Sequence, residues 1–135
     1  LNDGSVQDIA PFGAAGGGII APPVHVPELK ICIAWDSING GLAGVSTANN
    51  QLEVAWTCDA RPSMQPVVFP ETGELVINDF DGEDDKLIVV DIGTGELIDR
   101  VSTGSRLANG MFLTPGGARD IYYCSTFACA RVQWT

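Results

Sequence analysis

Short runs of β-branched, aromatic and aliphatic residues follow one another along this chain, each closed by Gly, Pro, Asn or Asp. The pattern predicts strands joined by tight turns. Residues 65–105 are the fullest example, with strands over 65–69, 74–80, 86–91 and 96–102 and turns PETG, DGEDD and IGTG. Before them, strands are predicted over 19–26, 30–35, 41–46 and 52–57, the first interrupted by Pro22 and Pro23 as suits a strand start or an edge. After them come 108–113, 119–124 and 127–133, one strand fewer. No stretch holds a 3.6-residue period, so helices should be almost absent.

The three sets repeat. Pro23, Pro66 and Gly110 each precede an apolar triplet, at separations of 43 and 44 residues. Pro27, Pro70 and Pro115 each follow one, at separations of 43 and 45. VHVP, VVFP and FLTP are the same local event, an inner strand ending in a turn that Pro initiates. Trp56 and Val101 fall on fourth strands 45 residues apart. Four strands per unit at this period is the signature of propeller blades. The competing all-β arrangement, a sandwich of short strands, does not call for a fixed period. The predicted organisation is an extended arm over 1–18, with one short strand at 5–9, followed by blades at about 19–60, 61–105 and 106–135. The Gly16-Gly17-Gly18 run has no phosphate-binding fingerprint and suits a linker.

The second unit resembles blades of quinoprotein-like (PQQ-repeat) β-propellers. The resemblance rests on Lys86-Leu87-Ile88-Val89-Val90-Asp91 followed by Gly93-Thr94-Gly95-Glu96-Leu97, a hydrophobic third strand ending in Asp and a T-G-E turn into the fourth. It covers about 40 residues closely and the other units loosely. The first unit has Ser46-Thr47-Ala48-Asn49-Asn50 at the corresponding turn. The resemblance implies a fold and brings no catalytic residue with it, and the repeats alone do not imply a bound quinone. The cofactor is unknown at this level. Propellers close with four to eight blades. Three blades with open edges therefore imply a second chain, either another copy or a chain holding the missing blades. The third blade, one strand short, would take its outer strand from elsewhere. A chain beginning at Leu1 is expected to be a processed product, a fragment or a piece lacking upstream sequence.

Composition narrows the partners. Seven Lys and Arg against 17 Asp and Glu give a net charge of −10, which argues against nucleic acid and against an anionic membrane surface. No apolar run is long enough to span a bilayer, so a soluble protein is expected, cytoplasmic or exported. The cysteines, Cys32, Cys58, Cys124 and Cys129, fit no zinc spacing, and His25 is the sole histidine. Cys124 and Cys129 suit a cross-strand disulfide or buried free thiols.

In a propeller the loops joining second to third strands (b–c) and fourth to first (d–a) gather at one end of the axial channel. Here the b–c loops are 36–41, 78–85 and 125–126, and the d–a loops are 58–64 and 103–109. The acidic b–c tip around Asp79, Asp81 and Glu83 partly matches a calcium loop but lacks its full pattern, which favours a solvated tip. Arg61 and Arg106 fall on corresponding d–a loops and suit a carboxylate or phosphate, or else pair with Asp59 or the acidic tip. Asn109 and Gln65 begin inner strands and would line the channel. His25 is a general-base candidate by residue type but lies toward the opposite end. Trp35, Trp56 and Trp134 suit packing between blades. Two functions fit this set. One is a propeller subunit with a small-molecule site at the channel mouth, acting as an enzyme on an anionic or polar substrate. The other is a non-catalytic scaffold or a module binding a peptide, glycan or small ligand.

Overall fold

The computed structural model describes residues 4–13, 22–80, 82–103, 113–124 and 129–135. It is all-β, with three antiparallel sheets. The first contains β1 (Val24–Val26), β2 (Ile31–Trp35), β3 (Leu42–Ser46) and β4 (Glu53–Cys58), in that spatial order. The second repeats the order with β5 (Val67–Phe69), β6 (Glu74–Phe80), β7 (Asp85–Asp91) and β8 (Leu97–Ser102). The third places β9 (Leu113–Pro115), β10 (Asp120–Cys124) and β11 (Cys129–Gln133) side by side. The first strands of the second and third sheets, β5 and β9, adjoin. Among the described residues the only helical element is one 3-10 turn at Ala48–Asn50, and no helix is long and apolar enough to cross a membrane.

Each strand's composition follows its place. β6 and β7 are the middle strands of the second sheet and are buried along nearly their whole length. They therefore carry continuous apolar runs, LVI and LIVV, rather than strict alternation. Their outer neighbour β8 is exposed throughout and keeps charges at Asp99 and Arg100. One apolar cluster spans all three sheets, including Ile33 and Leu42 from the first, Leu75, Ile77 and Ile88 from the second, and Ile121 and Tyr123 from the third.

The sheets share backbone detail beyond strand order. The residue ending the first turn is left-handed in all three: Lys30 (φ 53°), Gly73 (φ 71°) and Arg119 (φ 57°). Each of these residues accepts, at its carbonyl, a bond from the backbone N–H just past the third strand. The pairs are Thr47 to Lys30 (2.9 Å), Ile92 to Gly73 (2.8 Å) and Trp134 to Arg119 (3.4 Å). A bulge falls between Gly44 and Val45 in the first sheet and between Val89 and Val90 in the second.

Neighbouring sheets are joined by tryptophans. Trp56 of β4 donates its indole N–H to the Ile92 carbonyl at 2.8 Å. Its ring lies against Gly95, where a Cβ would come within 2.5 Å of Trp56 Cε3. Gly95 is thus required twice, for its φ of +75° and for the ring above it. Trp134 reaches from the third sheet to the second, donating to Glu74 Oε2 (3.3 Å) and meeting Phe69 edge-on at 5.4 Å. These two confirm the expected packing role for tryptophan.

Several boundaries differ from expectation. Residues 5–9 form no strand; the segment is attached through the Gln7 side chain, which donates to the Asn50 carbonyl at 2.6 Å. Of the expected first strand, 19–21 lie outside the described residues; β1 covers Val24–Val26, and Pro22 and Pro23, which have no N–H for a ladder, precede it. Pro115 lies inside β9 opposite Ile121 instead of starting a turn, which an edge strand tolerates. Trp56 does not match Val101. Counted from the paired third strands, Val101 faces Leu87 as Cys58 faces Leu42, so Trp56 corresponds to Asp99. The cause is the longer turn between β3 and β4, which holds the 3-10 turn.

Candidate functional site

Two connections meet at the seam between the first two sheets. The segment from β4 to β5 is pinned by backbone bonds from both sides. Ala60 accepts from the Gly41 N–H at 2.6 Å, and Arg61 accepts from the Phe80 N–H at 3.1 Å. The Arg61 N–H donates to Asp79 Oδ1 at 2.8 Å. Next to it, the Ser63 N–H donates to Asn78 Oδ1 at 2.9 Å, and the Asn78 amide donates to Ser63 Oγ (2.8 Å) and to Asp85 Oδ1 (2.9 Å). Asn78 and Asp85 are fully buried and Asp79 nearly so. A buried polar group is costly unless paired, and these are paired, Asn78 with Ser63 and Asp85, and Asp79 with the Arg61 N–H. β6 runs through Asn78 and Asp79 to Phe80 and β7 starts at Asp85, so Asn78, Asp79 and Asp85 are strand residues rather than loop residues.

The ion pairs differ from those expected. Asp79 Oδ2 takes its charged partner from Arg100 of β8, at 2.6 Å, and not from Arg61. Arg61 contacts Asp79 only through its backbone, and its side chain is exposed. Among the described residues its guanidinium has no hydrogen bond or ion pair. The outcome is a cation whose main chain is clamped at two points while Asp79 pairs with Arg100 instead. Nearby Cys58 is a poor nucleophile at neutral pH, because burial, followed by the negative charges of Asp79 and Asp59, pushes its thiol up.

The remaining candidates are scattered. His25 is exposed on β1 beside the first turn, with its Nε2 3.5 Å from Thr47 Oγ1, at the other end of the sheet from Arg61. Gln65 is exposed on the same connection as Arg61. Glu83 is exposed at the acidic tip. Arg106, Asn109 and Asp81 lie outside the described residues. Among the described residues no three His, Cys, Asp or Glu side chains gather as a metal site would require.

Four features were not evident from residue types alone. Arg119 pairs with buried Glu74 at 3.1 Å across the second and third sheets. Burial alone would raise the Glu74 carboxyl, but hydrogen bonds from Arg119, Thr72 and Trp134 outweigh it and hold its pKa below the ordinary range. Arg131 grips Asp120 with two bonds of 2.9 Å while its guanidinium lies 5.6 Å from the Tyr122 ring. The buried indole nitrogen of Trp35, near the β2–β3 loop, has no acceptor among the described residues. A groove of about 510 Å³ opens between Ser5, Val6 and Gln7 and the turn holding Thr47, Asn50, Gln51 and Leu52. It has no charged lining residue, so it offers nothing to an ionic ligand.

Comparison with known proteins finds no matching family, no similar curated sequence and no similar solved structure.

Proposed function

We propose that this chain is a three-blade portion of a β-propeller, completed by blades from a second chain, and that the end bearing Arg61 contributes a subsite for an anionic group of a small molecule. The observation that carries the proposal is the state of Arg61. Its backbone is fixed by Phe80 and Asp79, the adjacent carboxylate belongs to Arg100, and the guanidinium faces solvent. A positioned, unneutralised guanidinium binds carboxylate or phosphate in a planar, two-bond manner.

The propeller reading is supported by the shared strand order, the left-handed turn residue and the repeated carbonyl hook in all three sheets. The PQQ-type resemblance is supported by the Asp91 turn, where Asp91 Oδ1 accepts from the Thr94 N–H (2.8 Å) and Thr94 Oγ1 (3.0 Å). Bound quinone is not part of the proposal. A holding role is favoured over proton transfer because the buried polar side chains here, Asn78, Asp79 and Asp85, are occupied by one another and by Arg100. Catalysis would draw on groups from the completing blades.

Calorimetric titration of inorganic phosphate and of a tricarboxylate into the chain tests the site. Arg61→Ala is expected to weaken binding about tenfold or more, with Arg61→Lys intermediate and added salt weakening the native protein. Equal affinity in native protein and Arg61→Ala, or no saturable binding to the native chain, refutes it.

A further inference from the structure

Cys124 ends β10 and Cys129 begins β11, and the two face each other directly in the antiparallel register. Antiparallel pairs alternate between hydrogen-bonded and non-hydrogen-bonded sites. The bond from the Trp134 N–H to the Arg119 carbonyl marks that pair as hydrogen-bonded. Counting along the register from it places Cys124 and Cys129 at a non-hydrogen-bonded site. The first sheet corroborates the phase. There Trp35 and Leu42 hold the equivalent place, and bonds from Thr47 to Lys30 and from Asp36 to the Gly41 carbonyl lie at the expected alternate pairs.

At such a site the Cα atoms are about 4.5 Å apart and the side chains are at their closest, inside the roughly 4.4–6.8 Å window of disulfides. The two thiols are free and exposed. The other sheets carry Trp35 with Leu42 and Asn78 with Leu87 here, so the dithiol is particular to the third sheet. Cys32 and Cys58 differ: they are half-buried on β2 and β4, with β3 between them.

We propose that Cys124 and Cys129 are a reversible oxidation site, closing to a cross-strand disulfide by exchange with a low-molecular-weight disulfide such as oxidised glutathione. One cysteine thiolate attacks a sulfur of the reagent, forming a mixed disulfide and expelling one thiolate. The second cysteine, deprotonated, attacks the protein sulfur of that mixed disulfide and expels the other. Two electrons and two protons leave the protein, and the reagent leaves as two thiols. The product staples β10 to β11 beyond their backbone ladder.

The test is oxidised glutathione at mildly alkaline pH, then acid quenching, alkylation and tryptic mapping of the full chain. Cys124 and Cys129 share the peptide 120–131, separate from that of Cys32 and Cys58. The expected result is loss of both alkylation sites and of the mass of two hydrogen atoms from 120–131, reversed by dithiothreitol. Melting temperature should rise by about 5 °C. Cys124→Ser and Cys129→Ser should each leave the remaining cysteine carrying one glutathione. A peptide that stays doubly alkylated, or carries a glutathione on each cysteine without closing, overturns the proposal.

Discussion

Replacing Gly95 with alanine should harm this protein chiefly because of a tryptophan in the preceding sheet. Gly95 has φ +75°, a conformation costing an L side chain roughly 1 kcal/mol. Its new Cβ would also lie 2.5 Å from Trp56 Cε3, a contact that cannot exist without movement. Trp56 is 8% exposed, held by its bond to the Ile92 carbonyl and by Gly44 beneath, where a Cβ would come within 2.2 Å of Cε2. Displacing so confined a ring adds about 1–3 kcal/mol of overpacking. Gly95→Ala alone should therefore cost about 2–4 kcal/mol. Trp56→Ala alone should cost about 3–5 kcal/mol, from lost burial and the unpaired Ile92 carbonyl. In the double variant the clash is gone and only the backbone strain of about 1 kcal/mol remains from Gly95→Ala. The two changes should couple by about 1–3 kcal/mol, the pair costing less than the sum. Urea unfolding followed by far-ultraviolet circular dichroism measures this without relying on tryptophan fluorescence. Additivity within about 0.5 kcal/mol would refute the claim that the T-G-E turn is shaped to receive Trp56.

Two further outcomes follow from the same geometry. Lys30→Gly should stabilise the chain by about 0.5–1 kcal/mol, since it relieves a left-handed residue at the place where the second sheet already uses Gly73; urea midpoints read this directly. Glu74, with its folded pKa held below the unfolded value, contributes stability that is complete above the unfolded pKa and lost as pH falls through the folded one. Native protein should therefore lose stability from about pH 5 downward. Glu74→Gln should be less stable at pH 7 and show a shallower loss, with melting temperature against pH as the readout.

The strands were legible because hydrophobic runs and turn residues state them locally. KICIAW and LIVVD place β2 and β7 within a residue, and Pro27 and Pro70 mark turns where the structure has them. What was not legible depends on geometry between strands. Only Gly73 among the three left-handed turn residues announces itself, because Lys30 and Arg119 are forced into that conformation by the turn. Trp56 looked equivalent to Val101 because sequence spacing cannot see a turn lengthened by Ala48–Asn50. The acidic tip drew attention to Asp79 as a loop ligand, whereas the strand continues through it to Phe80. Its partner Arg100 sits two strands away, on a segment whose pairing register is not written in local sequence. The exposed Arg61 could be named from its place in the repeat. That its charge is left to solvent follows only from the Asp79–Arg100 pair.

The central claim is that three such sheets form an incomplete ring and need further blades. Multi-angle light scattering of the 135-residue chain, with small-angle scattering on the same sample, tests it most directly. An assembly of at least two chains is predicted. A stable single chain with the scattering profile of a compact, closed particle would contradict the claim.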